Sequence, residues 1–98
     1  MGEPGYSLYI VQCADGSLYT GIARDVARRI EEHGNGSRGA RYLRGRGPLT
    51  LVFEQAVGNR SRASKLEYRV KRLDRESKEA LISGRCALDD LLEPLPTS

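Results

Sequence analysis

Apolar positions gather in two short runs near the start of this chain, over Tyr6–Gln12 and again over residues 17–23. Both are rich in β-branched and aromatic residues, which predicts two strands. Ala14-Asp15-Gly16 stands between them, so the pair reads as a β-hairpin. Turn length decides the register. A two-residue loop at Asp15-Gly16 puts Tyr9 and Tyr19 on opposite faces of the ribbon. A three-residue loop with Gly16 at positive φ pairs Tyr9 with Gly21 and Val11 with Tyr19. Only the second gathers Leu8, Ile10, Leu18 and Ile22 on one face, with Tyr9, Val11, Tyr19, Gly21 and Ala23 on the other. The three-residue loop is therefore expected. It leaves Gly21, with no side chain, opposite Tyr9, where a ligand could approach the backbone.

Asp25 reads as the N-cap of a helix running to about His33 and ending at Gly34, with Val26 and Ile30 as its buried stripe. Residues 34–47 hold five glycines and four arginines, which predicts a mobile basic loop with one helical turn around residues 40–44. After Pro48, the nearly continuous apolar run 49–57 predicts a central strand. Residues 61–73 place Ala63, Leu66, Val70 and Leu73 at helical spacing, with Glu67 beside that stripe. Asp74 is the expected cap of a further helix to about Ser83, before Gly84. Residues 87–92 suggest a short acidic helix, and Pro94 and Pro96 end the ordered chain. The order predicts one α+β domain over residues 1–98, a three-stranded sheet with helices packed on it. Its core spans about 6–83, with tails at 1–5 and 94–98.

Composition narrows the class. A chain of 98 residues buries about two-thirds of its unfolded surface, so the core is modest. With 39% hydrophobic and 30% charged residues it reads as soluble and globular, and no apolar run approaches the roughly 20 residues of a membrane helix. The first residues lack a basic segment followed by an apolar stretch, so no secretory signal is expected. Cys13 and Cys86 match no zinc spacing and suit a reducing, cytoplasmic setting.

The net charge of +3 conceals an asymmetry. Between Arg24 and Arg72 there are 13 Lys/Arg against 5 Asp/Glu, and elsewhere 3 against 8. A basic middle between acidic ends suggests a polyanion partner, although a solvated, arginine-rich surface would look the same. Eleven of the 13 are arginine, whose planar fork suits bidentate phosphate contacts.

Tyr9, Tyr19 and Arg29 stand ten residues apart, followed by the only histidine, His33, and later by Glu67 in the basic helix. Two phenols, a guanidinium and a carboxylate at one spot would suit a phosphodiester, whose hydrolysis needs an in-line water, a cation and help for the leaving oxygen. Tyr9 or Tyr19 could orient or deprotonate the water, and Arg29 could hold a non-bridging oxygen. His33 could relay a proton or bind phosphate, or simply meet the last carbonyls of its helix. Structural alternatives stand beside these: strand aromatics with wet hydroxyls, Arg29 paired with Glu32 or Asp25, and Glu67 paired with Lys71.

Taken together, Leu8-Tyr9, Leu18-Tyr19-Thr20-Gly21, Arg29, His33 and Glu67 resemble the GIY-YIG nuclease family, in its small stand-alone bacterial members. The stretches Gly39-Ala40-Arg41-Tyr42 and Glu67-Tyr68-Arg69-Val70-Lys71-Arg72-Leu73 support the likeness, which covers about residues 6–82. Ser7 and Leu8 depart from the glycine and isoleucine of the first motif. The resemblance implies that the three-stranded sheet is antiparallel. It also implies a Mg²⁺-dependent endonuclease, with Mn²⁺ as an alternative ion, leaving 5′-phosphate and 3′-hydroxyl ends on DNA rather than RNA. It implies that Tyr9, Tyr19, Arg29 and His33 are catalytic and that Glu67 is the metal ligand. Arg38, Arg41, Arg44 and Arg46, with Arg69, Lys71 and Arg72, would supply phosphate contacts, Gly21 would admit the strand, and Tyr42 would either stack on an unpaired base or pin the loop to the domain. The rival expectation is a binding module with little catalysis, recruited by a protein partner to DNA repair or RNA processing.

Overall fold

A computed structural model of the chain describes residues 5–35 and 49–88. The elements run β1 (Tyr6–Gln12), β2 (Leu18–Ala23), α1 (Val26–Asn35), β3 (Thr50–Gly58), α2 (Arg60–Lys71) and α3 (Arg75–Ser83). The strands form one antiparallel sheet in the order β2-β1-β3, so the fold is α+β as expected. The helix foreseen at 87–92 lies mostly outside the described residues, as do residues 1–4 and 94–98.

The hairpin takes the three-residue loop. Tyr9 faces Gly21, Val11 faces Tyr19 and Gln12 faces Leu18. The Cys13 N–H donates to Ser17 O at 2.8 Å and the Gly16 N–H to Cys13 O at 2.9 Å. Gly16 takes φ +90°, a conformation its missing Cβ permits. Asp15 Oδ1 pins the turn by accepting from the Ser17 N–H and hydroxyl.

This register makes the sheet two-sided. On one face Leu8 and Ile10 join Val57, Ala63, Leu66, Val70, Leu81 and Leu88, with Leu18 and Ile22 packed against them. On the other, Tyr9, Val11, Cys13 and Val26 are buried together, with Tyr19, Ala23 and Ile30 alongside. Thus α2 and α3 cover the aliphatic face and α1 covers the tyrosine face. Each fully buried Leu or Ile contributes about 1.5–3 kcal/mol over an exposed one.

One strand is placed differently from expectation. The apolar run 49–57 is not central: β3 is an edge strand, and Leu51 is 42% exposed. The central strand is β1, whose Leu8–Val11 stretch is buried on both faces. β3 has a strand neighbour on one edge only, whereas β1 is enclosed by neighbours on both edges.

Local signals fix the helix starts. Asp25 Oδ1 accepts from the Arg28 N–H at 3.1 Å, and α1 runs two residues past its expected last residue, His33. Asn59 caps α2 by accepting from the Arg62 N–H at 2.9 Å. Asp74 caps α3, accepting from the Ser77 N–H at 2.8 Å, and that hydrogen bond holds its carboxyl below the usual range. Gly84 closes α3 in the left-handed conformation.

Candidate active site

Tyr9 is the largest fully buried side chain among the described residues, 1% exposed in the middle strand. Its phenol is pushed up to about 12, first by burial and next by the neighbouring Tyr19. Arg29 opposes the rise through its charge and a hydrogen bond to the phenol, while the Glu67 carboxylate adds to it. Tyr9 therefore lies within electrostatic reach of Tyr19, Arg29 and Glu67 together. These are the side chains that the sequence singled out, brought in by four different elements: β1, β2, α1 and α2.

Gly21 lies directly under that ring. A Cβ built on it would stand 2.5 Å from Tyr9 Oη and 2.7 Å from Cζ, far inside contact distance. The opening expected over Gly21 is thus filled by Tyr9 itself. The bare glycine makes room for the phenol ring.

Arg29 sits beside the buried Val26–Ile30 stripe of α1. Its Nη1 lies 3.2 Å from Glu32 Oε1, so the guanidinium is shared between Glu32 and the Tyr9 phenol. Neighbouring Arg28 pairs with Glu32 from the solvent side, Nε to Oε2 at 3.6 Å. Glu67 follows the fully buried Leu66 on α2 and is 24% exposed. Lys71 Nζ stands 3.2 Å from Glu67 Oε2 and 5.8 Å from the centre of the Tyr19 ring. The sequence offered Lys71 both as a phosphate contact and as the i,i+4 partner of Glu67, and the structure forms the pair. Its i,i+4 spacing from Glu67 was the available signal for the pair, but nothing local announced Tyr19.

Arg69 and Arg72 lie exposed on α2. Arg38, Arg41, Tyr42, Arg44 and Arg46 lie outside the described residues, and so does the side chain of His33.

Among the described residues no three acidic, histidine or cysteine side chains cluster to hold a metal. Glu67 offers a single hard oxygen donor in a half-buried position. That set suits Mg²⁺, which takes one or two carboxylates and fills its octahedron with water and phosphate oxygens. It does not suit a structural zinc. Both cysteines are unbridged, and no helix of the described residues is long and apolar enough to cross a membrane.

The profile of the GIY-YIG catalytic domain matches residues 5–80. The UPF0213 protein YhbQ of Salmonella typhimurium is 50% identical over 90 residues, covering 92% of this chain and 89% of that protein. The UPF0213 protein DP2720 of Desulfotalea psychrophila is 51% identical over 82 residues, covering 84% and 74%. Among solved structures, the UPF0213 protein BH0048 of Bacillus halodurans, determined by solution NMR, is 42% identical with a TM-score of 0.54, covering 96% of this chain and 99% of that one.

Proposed function

The chain belongs to the GIY-YIG catalytic domain family, and on that footing we propose that it is a Mg²⁺-dependent endonuclease. It cuts DNA in preference to RNA in the cytoplasm and leaves 5′-phosphate and 3′-hydroxyl ends. The observation that carries this reading is the buried Tyr9 phenol, which feels Tyr19, Arg29 and Glu67 at once. A guanidinium, two phenols and one carboxylate bordering the same point match the needs of a scissile phosphate.

The residues divide the work by environment. A phenol raised to about 12 keeps its proton at ordinary pH, so in this fold Tyr9 acts as a hydrogen-bond partner. It accepts a hydrogen bond from Arg29 and thereby fixes the guanidinium, which meets a non-bridging oxygen and the charge growing on it. Tyr19, only half-buried, orients the attacking water. Glu67 would hold a Mg²⁺, which would supply positive charge to the phosphate and the leaving oxygen. Lys71, beside Glu67 and Tyr19, is placed to meet a phosphate.

A second reading has one observation in its favour. Arg29 and Glu67 are both engaged in pairs within their own helices, with Glu32 and Lys71. A binding module that has kept the fold but not the chemistry, recruited by a protein partner to repair or RNA processing, would show the same pairs. Single-stranded, duplex and branched DNA, incubated with Mg²⁺ or EDTA and with wild type or Glu67→Ala, separates the two. Cutting that needs Mg²⁺ and vanishes in the variant supports the nuclease. Equal, salt-sensitive binding by both proteins without cutting supports the module.

A further inference from the structure

One large aromatic side chain has no part in the site above. Tyr68 is 62% exposed on α2, and it lies immediately after Glu67, about 100° further round the helix. Arg72 holds it from the next turn. The guanidinium carbon stands over the ring at 5.4 Å from its centre, and Nη1 donates to the Tyr68 hydroxyl at 3.3 Å. An exposed ring held in this way loses little freedom on meeting a flat partner. The helix around it is strongly basic. Arg60, Arg62, Lys65, Arg69, Lys71 and Arg72 are all exposed, against the single carboxylate of Glu67. Its apolar stripe of Ala63, Leu66 and Val70 is fully used in the core. No apolar stripe is left on the outer face, only one aromatic plate set in positive charge.

We propose that Tyr68 and Arg72 form a stacking platform for an unpaired base, and that a single-stranded stretch adjoining the scissile phosphate runs along the outer face of α2. The inference rests on the nucleic-acid reading of the site. Backbone phosphates meet the arginines and lysines, a contact blind to sequence. The base lies on Tyr68, where any base fits because each has a π-face. Duplex DNA, whose bases are already stacked on one another, cannot use the plate. The substrate class that follows is nucleic acid with an unpaired segment beside the cut, such as a flap, overhang or branch.

The test is binding in EDTA, where catalysis plays no part. The full chain is titrated with a single strand carrying 2-aminopurine and with a blunt duplex of equal length. Quenching of the 2-aminopurine on binding is expected. Tyr68→Ala should weaken single-strand binding roughly tenfold and change duplex binding less than twofold. Tyr68→Phe, which keeps the ring, should bind both as wild type does. Equal loss on both nucleic acids in Tyr68→Ala, or no loss on either, overturns the platform. So does tight binding to anionic phospholipid vesicles that the oligonucleotide fails to displace. Mg²⁺-dependent cutting is scored separately, so an inactive protein that still stacks the base refutes the nuclease reading and leaves the platform standing.

Discussion

The Tyr9 hydroxyl occupies the place where a side chain on Gly21 would begin. The two residues face each other across the β1–β2 ladder, and the distance from a built Cβ to Oη is only 2.5 Å. Replacing Gly21 by alanine must therefore move a fully buried ring that the core holds from several sides. Overpacking of this kind costs about 1–3 kcal/mol. Denaturant unfolding of Gly21→Ala should show a loss in that range, and cutting should fall because the phenol no longer meets Arg29. Adding Tyr9→Phe removes the nearest atom but not Cζ, so it should restore part of the stability and none of the activity.

Glu67 and Lys71 form a half-exposed pair, and such pairs contribute a few tenths of a kcal/mol. Glu67→Gln should therefore leave the unfolding midpoint nearly unchanged while lowering turnover by two orders of magnitude or more. Lys71→Gln frees the carboxylate for the cation. The Mg²⁺ concentration for half-maximal cutting should fall by up to about fivefold, the scale of an exposed ion pair. A higher Mg²⁺ requirement in that variant would mean that the lysine assists the metal.

The Tyr9 phenol gives a pH signature. Its proton is retained to about 12 in the fold, against about 10 in an unfolded chain. A raised phenol contributes stability that is whole below pH 10 and drains away as pH climbs from 10 toward 12, because the unfolded state ionises first. Tyr9→Phe should lose this alkaline limb in an unfolding-versus-pH series. The pH dependence of cutting below 10 should keep its shape in that variant, although the rate drops. In Tyr19→Phe, cutting should be abolished at every pH.

Thr20 lies 3% exposed between Leu18 and Ile22 on the aliphatic face, and its hydroxyl has no hydrogen-bond partner among the described residues. A buried, unsatisfied hydroxyl costs about 1–3 kcal/mol. Thr20→Val keeps the branched shape and should raise stability by about 1 kcal/mol with cutting intact, read by thermal unfolding and the nuclease assay. A destabilised Thr20→Val would show that the hydroxyl is satisfied in solution.

Features written in neighbouring residues were legible beforehand. The hairpin register follows from Asp15, Gly16 and the aliphatic positions around them, and Asp25 and Asp74 announce their helices by chemistry acting within one turn. The pairing of Glu67 with Lys71 was available from spacing. What escaped depends on contacts between elements. That β1, not β3, is enclosed on both edges is a matter of strand order, which apolarity alone does not encode. Gly21 was visibly bare, but only the packed structure reveals that Tyr9 fills the gap. That Tyr68 lies opposite the stripe of Ala63, Leu66 and Val70 follows from their spacing, but that Arg72 holds its ring is visible only in the structure.

The three-residue loop at Ala14-Asp15-Gly16 reaches further than its size. Adding or removing one residue there would turn β2 over relative to β1, burying polar groups and sending Tyr19 to the side opposite Tyr9. No misthreaded form could both survive and work, so a length change of one residue in this turn should behave as a total loss, whereas swaps that keep its length should be forgiven.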